Sequence, residues 1–325
     1  MNIGISVIVC CYNSSLRLPE TIRHLAQQKV RPDVAWEVIV VNNKSTDDTV
    51  IVAEKEWSSY NRVDAGFIIV DELVPGLIYA REKGLKIAQY EYIVFCDDDN
   101  WLDESYLDKV YNILEGDKRI GAVGGRGIAV SDVDFPDWFN KYSGGYAIGN
   151  PEAKAQYQEG KNFLYGAGLA FRKSLYDEAY LHYPSFLVGR EGEKLTSGED
   201  SEFAIRLKLM GYSLYYERDM TFRHFIPANR LTEEYRDRMF VGFRDASNVL
   251  ESYIFQMMLP SYSYKLKATL TLKGLLKLII CTISNIKRWN KQIEIDSLYQ
   301  LTGISFGKVG SISKSIRDFA DQYKK

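Results

Sequence analysis

Cysteine is scarce in this chain, with four residues in 325, Cys10, Cys11, Cys96 and Cys281, two of them adjacent inside an apolar run. That number and spacing exclude a disulfide framework and a thiolate zinc site, and free buried thiols predict a reducing, cytoplasmic setting. Histidine is scarcer still: His24, His182 and His224 are all there is. No stretch reaches the roughly 18 uninterrupted apolar residues that a spanning helix needs. The opening residues, MNIGISVIVCCYN, have neither a basic leader nor a small-residue cleavage site, so no signal peptide is expected there. Excess charge is also missing, since 41 Lys and Arg face 43 Asp and Glu for a net charge of −2. Such balance gives no field to recruit nucleic acid, and any basic function must be local. Neither GxGxxG nor a GxxxxGKS/T loop occurs, which sets aside the dinucleotide fold and the P-loop. What is present is 46% hydrophobic residues and 13% aromatics, including 23 Tyr. This supports a real core in two domains, or in one large α/β domain with an appendage.

The first hundred residues alternate strand-like and helix-like segments. Ile5 to Cys10, Trp36 to Val41, Phe67 to Val70 and Tyr92 to Cys96 are short apolar β-branched runs, as strands buried on both faces should be. Between them, Leu16 to Gln28, Val50 to Trp57 and Gly76 to Ala88 read as helices. Ser14 or Ser15 can cap the first, and Ser45 with Asp48 has capping-box spacing before the second. Repeated βα units predict an open, mostly parallel sheet, whose ligands bind at the carboxyl ends of the strands. Tyr12 and Asn13, Asn42 and Asn43, and Asp97, Asp98 and Asp99 all fall at such ends.

Three constellations carry chemistry. On an extended strand end, alternation sends Asp97 and Asp99 to one side, which suits a hard divalent cation; Asp99 or Asn100 as the cap of a helix WLDESYLDKVYNIL is the bland alternative. In GED, Glu199 and Asp200 open a helix, and a carboxylate there can act as general base; Ser197 with Asp200 equally has capping-box spacing. Arg223 and His224 end a strand-like TFRHF, where an imidazole can bind metal and a cation can stabilise a leaving phosphate.

The order VIVCCYN, VIVVNNKSTDDT, PGLIYAREKGL, YIVFCDDDNWL, YGAGLAFRK, GEDSEFAIRL, HFIPANRLT resembles a bacterial family 2 glycosyltransferase over about Ile5 to Thr232. The resemblance implies an inverting GT-A enzyme with a nucleotide-diphosphate sugar donor, UDP-linked first of all, and Mn²⁺ or Mg²⁺. Carried over by position, it implies that Cys11, Tyr12 and Asn13 border the nucleoside and that Asn42 and Asn43 stand where an Asp pair commonly reads the base. Arg81 lies near the nucleotide, Asp97 and Asp98 near ribose and diphosphate. Asp99 matches the main metal carboxylate and His224 an accessory metal position. Asp200 matches the catalytic base, with Glu199, Gly166, Ala167 and Gly168 on the sugar and acceptor side. Asn at 42 and 43 departs from the pattern, yet an amide carbonyl can still accept an imide proton.

Residues 1–232 are thus expected to form the catalytic domain, split near 102 into donor and acceptor halves, and 233–325 a helical extension. Aromatics from Phe135 to Tyr146 are expected to wall the acceptor. No acid lies between Glu251 and Glu294, while Lys265, Lys267, Lys273, Lys277, Lys287, Arg288 and Lys291 do. On one helix, Lys273, Lys277, Ser284, Arg288 and Lys291 make a basic stripe beside leucines and isoleucines, so 264–291 can lie on the inner face of the membrane near a lipid-linked acceptor; packing on the protein or in a homodimer is the alternative, and helices this apolar are common in soluble cores. The expected activity is sugar transfer to a glycan or lipid-linked acceptor in cell-surface polysaccharide synthesis. The rivals are a sugar-phosphate nucleotidyltransferase, disfavoured because CCYNSSLRLPE is no triphosphate loop, and an inactive nucleotide-sugar-binding protein.

Overall fold

A computed structural model describes residues 2–150, 152–158, 163–190, 195–283 and 288–324. The strands are β1 (Asn2–Cys11), β2 (Trp36–Asn42), β3 (Ala65–Asp71), β4 (Tyr90–Asp97), β5 (Asn100–Leu102), β6 (Ile120–Val130), β7 (Gln156–Tyr157), β8 (Ala170–Arg172) and β9 (Ser213–Phe225). The helices of the first 210 residues are α1 (Leu18–Ala26), α2 (Thr49–Ser59), α3 (Leu77–Ile87), α4 (Tyr106–Gly116), α5 (Phe139–Tyr142), α6 (Lys173–Tyr180) and α7 (Glu199–Leu209). Four more follow β9: α8 (Glu233–Met258), α9 (Tyr264–Ile283), α10 (Arg288–Thr302) and α11 (Ser311–Tyr323).

Among the described residues the strands join into one sheet in the order β3-β2-β1-β4-β8-β6-β9-β5, with β7 also on β9. The β3-β2-β1-β4 half is parallel throughout, as buried β-branched runs joined by helices require. Beyond it β8 runs antiparallel between β4 and β6, and β6 and β9 are parallel again. Side chains of β1 alternate between two cores: Val7 and Val9 pack with α1, α2 and α4, and Ile8 packs with α3, α6 and α7. Gly84 lets α3 lie directly on β1, because a Cβ there would stand 2.4 Å from Ile8 Cγ2. That contact brings Arg81, one turn earlier, to the carboxyl edge of the sheet.

Several local expectations give way to tertiary contacts. Residues 100–102 form β5, not the start of a helix, because they pair antiparallel with β9, Asn100 opposite His224. The helix begins at Tyr106, and neither Asp99 nor Asn100 caps it. No side chain caps α1 or α2. Ser14 Oγ instead donates to Asp98, and Asp47 Oδ1 accepts from Thr49 N at 3.1 Å. The basic stripe does not run along one helix: α9 and α10 are separate and pack together, with Lys277 3.5 Å from Glu294. Ser284 and Lys287 lie outside the described residues.

Candidate active site

The tight turn Asp98–Asp99 closes β4, so the alternation of an extended strand does not apply to the three acids. Each of the two turn residues has its own partners. Asp98 Oδ2 lies 2.6 Å from Arg17 Nη2 and also accepts from Ser14. Asp99 Oδ2 accepts from Arg230 Nη1 at 2.7 Å, while Oδ1 accepts from Asn100 Nδ2 at 3.1 Å and faces His224 Nε2 at 3.5 Å. Burial raises the proton affinity of both carboxyls, and the balance differs. For Asp98 burial and the neighbouring Asp99 win, and its pKa is raised; for Asp99 the His224 and Arg230 charges overcome burial and hold it well below the carboxylate range. His224 loses by burial but gains more from Asp99, so its pKa is raised. Its Nδ1 hydrogen-bonds to the Tyr146 carbonyl at 2.7 Å, which orients Nε2 toward Asp99.

A second cluster gathers around Arg81, whose guanidinium is buried over the Phe95 ring, 4.6 Å from its centroid. Arg81 Nη1 pairs with Glu199 Oε1 at 3.1 Å. Asp200 Oδ2 accepts from Gly166 N at 2.7 Å and Oδ1 from Ser201 N at 2.7 Å. The capping box proposed for Ser197 and Asp200 is not formed, since Gly198 occupies the N-cap with no side-chain bond. Glu199 is pushed up to about 7 by burial, with Asp200 adding and Arg81 opposing, and its Oε2 is buried with no hydrogen-bond partner. Burial likewise raises Asp200, against Arg81. The two clusters adjoin, because Arg81 feels both Asp97 and Asp200.

The remaining predicted positions serve the walls. Tyr12 is exposed at the end of β1, whereas Cys11 is buried and its carbonyl accepts from Asn43 N at 2.8 Å. Asn13 holds φ 49° and its Oδ1 accepts from Thr46 N at 2.8 Å. Asn43 is buried; its Oδ1 accepts from Gly76 N at 2.8 Å and its Nδ2 donates to Val74 O at 2.7 Å, which shapes the turn into α3. Asn42 Nδ2 donates to Asp71 Oδ1 at 2.8 Å. Gly166, Ala167 and Gly168 form a buried turn in which Gly168 has φ +70° and a Cβ would meet Tyr106 Oη at 2.5 Å. Arg223 is exposed, and the guanidinium beside Asp99 is Arg230. Arg17, Arg230 and Asp71 carry no local pattern that marks them; HFIPANRLT contains Arg230 without assigning it a task.

A cavity of about 650 Å³ lies among β6, the segment 135–153 and residues 163–165; its described lining includes Tyr165 but none of Arg81, Asp97 to Asp99, Glu199, Asp200 or His224. Of the predicted aromatic wall, Phe135 and Phe139 line it. Tyr146, Trp138 and Tyr142 pack instead toward α8, in a cluster with Met239, against Arg236 or against Phe240.

A parallel nucleotide-binding half, a mixed second half and acids at the strand ends together define the GT-A architecture. The glycosyl transferase family 2 model matches residues 6–179, more than half of the chain, and the chain belongs to that family: it is a family 2 glycosyltransferase. It is 30% identical over 113 residues to the cholesterol galactosyltransferase of Borreliella burgdorferi, covering 35% of this chain and 30% of that one. It is 23% identical over 265 residues to EpsH of Bacillus subtilis, named as a glycosyltransferase, covering 77% and 72%. It is 30% identical over 132 residues to the poly(ribitol-phosphate) β-N-acetylglucosaminyltransferase TarS of Staphylococcus aureus, covering 39% and 22%. The chain therefore spans less than a third of the first and third of these relatives. The crystal structure of S. aureus TarS 1-349 in complex with UDP-GlcNAc superposes with TM-score 0.55 at 17% identity, over 99% of this chain and 89% of that one.

Proposed function

We propose that this enzyme transfers a sugar from a nucleotide-diphosphate donor, UDP-linked, to a hydroxyl of a glycan or lipid-linked acceptor, with inversion, in the synthesis of a cell-surface polysaccharide. The observation that carries the proposal is the position of Asp200, a half-buried carboxylate without a capping role, held by Gly166 N next to the Arg81–Glu199 pair. Each of its oxygens keeps a lone pair for an acceptor proton, and one base suffices for direct displacement. Residues 1–232 are assigned to catalysis and 233–325 to a helical extension. Tyr12, Asn13, Asn42 and Arg81 are assigned to the nucleotide side, with Cys11 and Asn43 supporting the wall from behind.

Asp99 and His224 fit a divalent cation. One carboxylate and one imidazole, held by its Nδ1 bond to Tyr146, offer an oxygen and a nitrogen toward one point, as Mn²⁺ or Mg²⁺ accepts. Among the described residues no group of three or more acids, histidines or cysteines could hold an ion, so water and substrate oxygens would complete its shell. When bound, the cation supplies positive charge to the leaving diphosphate. Arg17 and Arg230 contribute fixed positive charge at the same edge.

We also propose that α9 rests on an anionic lipid surface. Leu272 and Leu276 are 69% and 59% exposed on it, beside exposed Lys273 and Lys277. No helix of the described residues is long and apolar enough to cross a membrane. The decisive test of the activity is a turnover assay with UDP-sugars: wild-type protein should release UDP slowly even without acceptor, and Asp200→Asn should bind UDP unchanged but not turn over. Wild-type turnover by Asp200→Asn protein would sink the assignment.

A further inference from the structure

The family model ends at residue 179, yet a helix that begins at Glu233 touches both clusters of the active site. Met239, Gly242, Phe243, Ala246, Leu250 and Tyr253 share one face of α8, since they fall at helical spacings of three and four. The middle of that face meets backbone directly. A Cβ on Gly242 would stand 1.9 Å from Leu195 O and 2.8 Å from the Leu195 carbonyl carbon. A Cβ on Gly198, the N-cap of α7, would stand 3.0 Å from Ala246 Cβ and 3.6 Å from Leu250 Cδ1. Gly198 O accepts from Glu202 N at 2.7 Å, so α8 bears on the first turn of the helix that carries Asp200. Tyr253 holds the same turn, because its hydroxyl donates to Glu202 Oε1 at 2.9 Å. The start of the face reaches the other cluster. A Cβ on Gly145 would stand 2.7 Å from Met239 Cε and 3.3 Å from Phe243 Cε2. The next residue, Tyr146, accepts from His224 Nδ1 through its carbonyl at 2.7 Å and donates its hydroxyl to Arg230 O at 2.9 Å. Tyr146 and Met239 are buried in one apolar cluster. Close-packed interiors give way little, so a backbone seated directly on a helix takes its position from that helix.

We propose that α8 is part of the catalytic scaffold, with Gly242 a positioning residue for Asp200 and Met239 a positioning residue for His224. Neither touches substrate; one helix holds the base and the imidazole at a fixed separation. The boundary at 232 then marks a change of architecture, and the positioning of the site continues past it. The inference rests on Asp200 acting as the base and His224 as a cation ligand.

The test uses the full chain, with slow hydrolysis of UDP-glucose, UDP-galactose or UDP-N-acetylglucosamine as the turnover readout. Gly242→Ala forces Leu195 off α8 and should lower kcat about tenfold or more, the scale of a misplacement of up to about 1 Å, with UDP affinity unchanged. The Gly166 amide, which donates to Asp200 Oδ2, should exchange its hydrogen faster, a reading that needs no substrate. Met239→Ala should weaken the Mn²⁺-dependent gain in UDP affinity about tenfold, the usual effect of loosening the partner of a metal-binding imidazole, and leave Gly166 exchange alone. Val34, buried just before β2 at the amino edge of the sheet, supplies the control: Val34→Ala should lower the melting temperature and keep wild-type kcat. If Gly242→Ala does not fold, Ala246→Val presses the same turn through Gly198 and is read in the same way. Wild-type kcat and Gly166 exchange in Gly242→Ala overturn the proposal, as does an equal loss of kcat in Val34→Ala. An unchanged Mn²⁺ response in Met239→Ala overturns its His224 half. Faster Gly166 exchange in Gly242→Ala, in a protein whose wild type neither binds UDP nor hydrolyses any UDP-sugar, would instead overturn the donor assignment and leave the α8 contact in place.

Discussion

Asp200 owes its part to two backbone donors that hold it and to a neighbour that shares its proton. Replacing it with Asn keeps the shape and removes the base, so transfer should fall by about 10²- to 10⁴-fold with UDP affinity unchanged, measured by product release and calorimetry. Asp99→Ala should abolish the Mn²⁺-dependent increment in UDP affinity, leaving Arg230 without its partner; an unchanged metal dependence would move the cation elsewhere. The Glu199 and Asp200 pair also sets the pH profile. Glu199 is pushed up to about 7 by burial first and Asp200 second, and Asp200 is itself raised. Below about 7 the pair holds a proton that a base must lose, so the rate should climb with pH and level off above 7. For stability the sign is opposite: an acid with a raised folded pKa penalises the folded state as pH rises from its unfolded value toward 7. Glu199→Gln should shift the rising limb of the rate profile toward acid, and an unmoved limb would show that the two carboxyls do not share the titration.

At the scale of elements, α7 carries the base on its first turn and is itself anchored by charge. Arg206 is fully buried, lies 2.8 Å from Glu202, and bonds to Tyr253 of α8 and to the carbonyls of Ala179 and Pro184. Its guanidinium also stacks 5.0 Å from the Phe319 ring of α11. One network therefore fastens the helical extension to the helix that presents Asp200. Arg206→Met should cost about 3–5 kcal/mol, because it strands the Glu202 carboxylate in the core, and should be seen as a lowered denaturant midpoint. A variant with both Arg206→Met and Glu202→Leu should recover most of that loss. The sequence pointed to the helix, through Phe203 and Leu207 at helical spacing, and by spacing alone left Asp200 open between a general base and a capping box. The box failed because Asp200 found a backbone donor 34 residues earlier, a contact no local spacing encodes.

For the whole molecule, the α9 surface makes the one prediction that concerns its surroundings. Protein should co-sediment with phosphatidylglycerol vesicles and not with phosphatidylcholine vesicles. Leu272→Glu with Leu276→Glu should weaken that by about a hundredfold or more, the cost of keeping two leucines in water. A vesicle-independent dimer that the same substitutions dissociate would show that a second copy covers the face instead.

Local chemistry alone determined the strands β1 to β4, their helices and the polar strand ends that carry Asp97 to Asp99, while the family resemblance of the ordered motifs brought in Glu199, Asp200 and His224. Buried parallel strands and polar strand ends are written in contiguous residues, so they are readable without a fold. Only the tertiary structure decided which charges meet. Arg17 reaches Asp98 across 81 residues and Arg230 reaches Asp99 across 131, and the pairing of β5 with β9 that brings Asp99 to His224 displaced a locally convincing helix start. Pairing is a property of distance in space, which the order of residues along the chain does not contain.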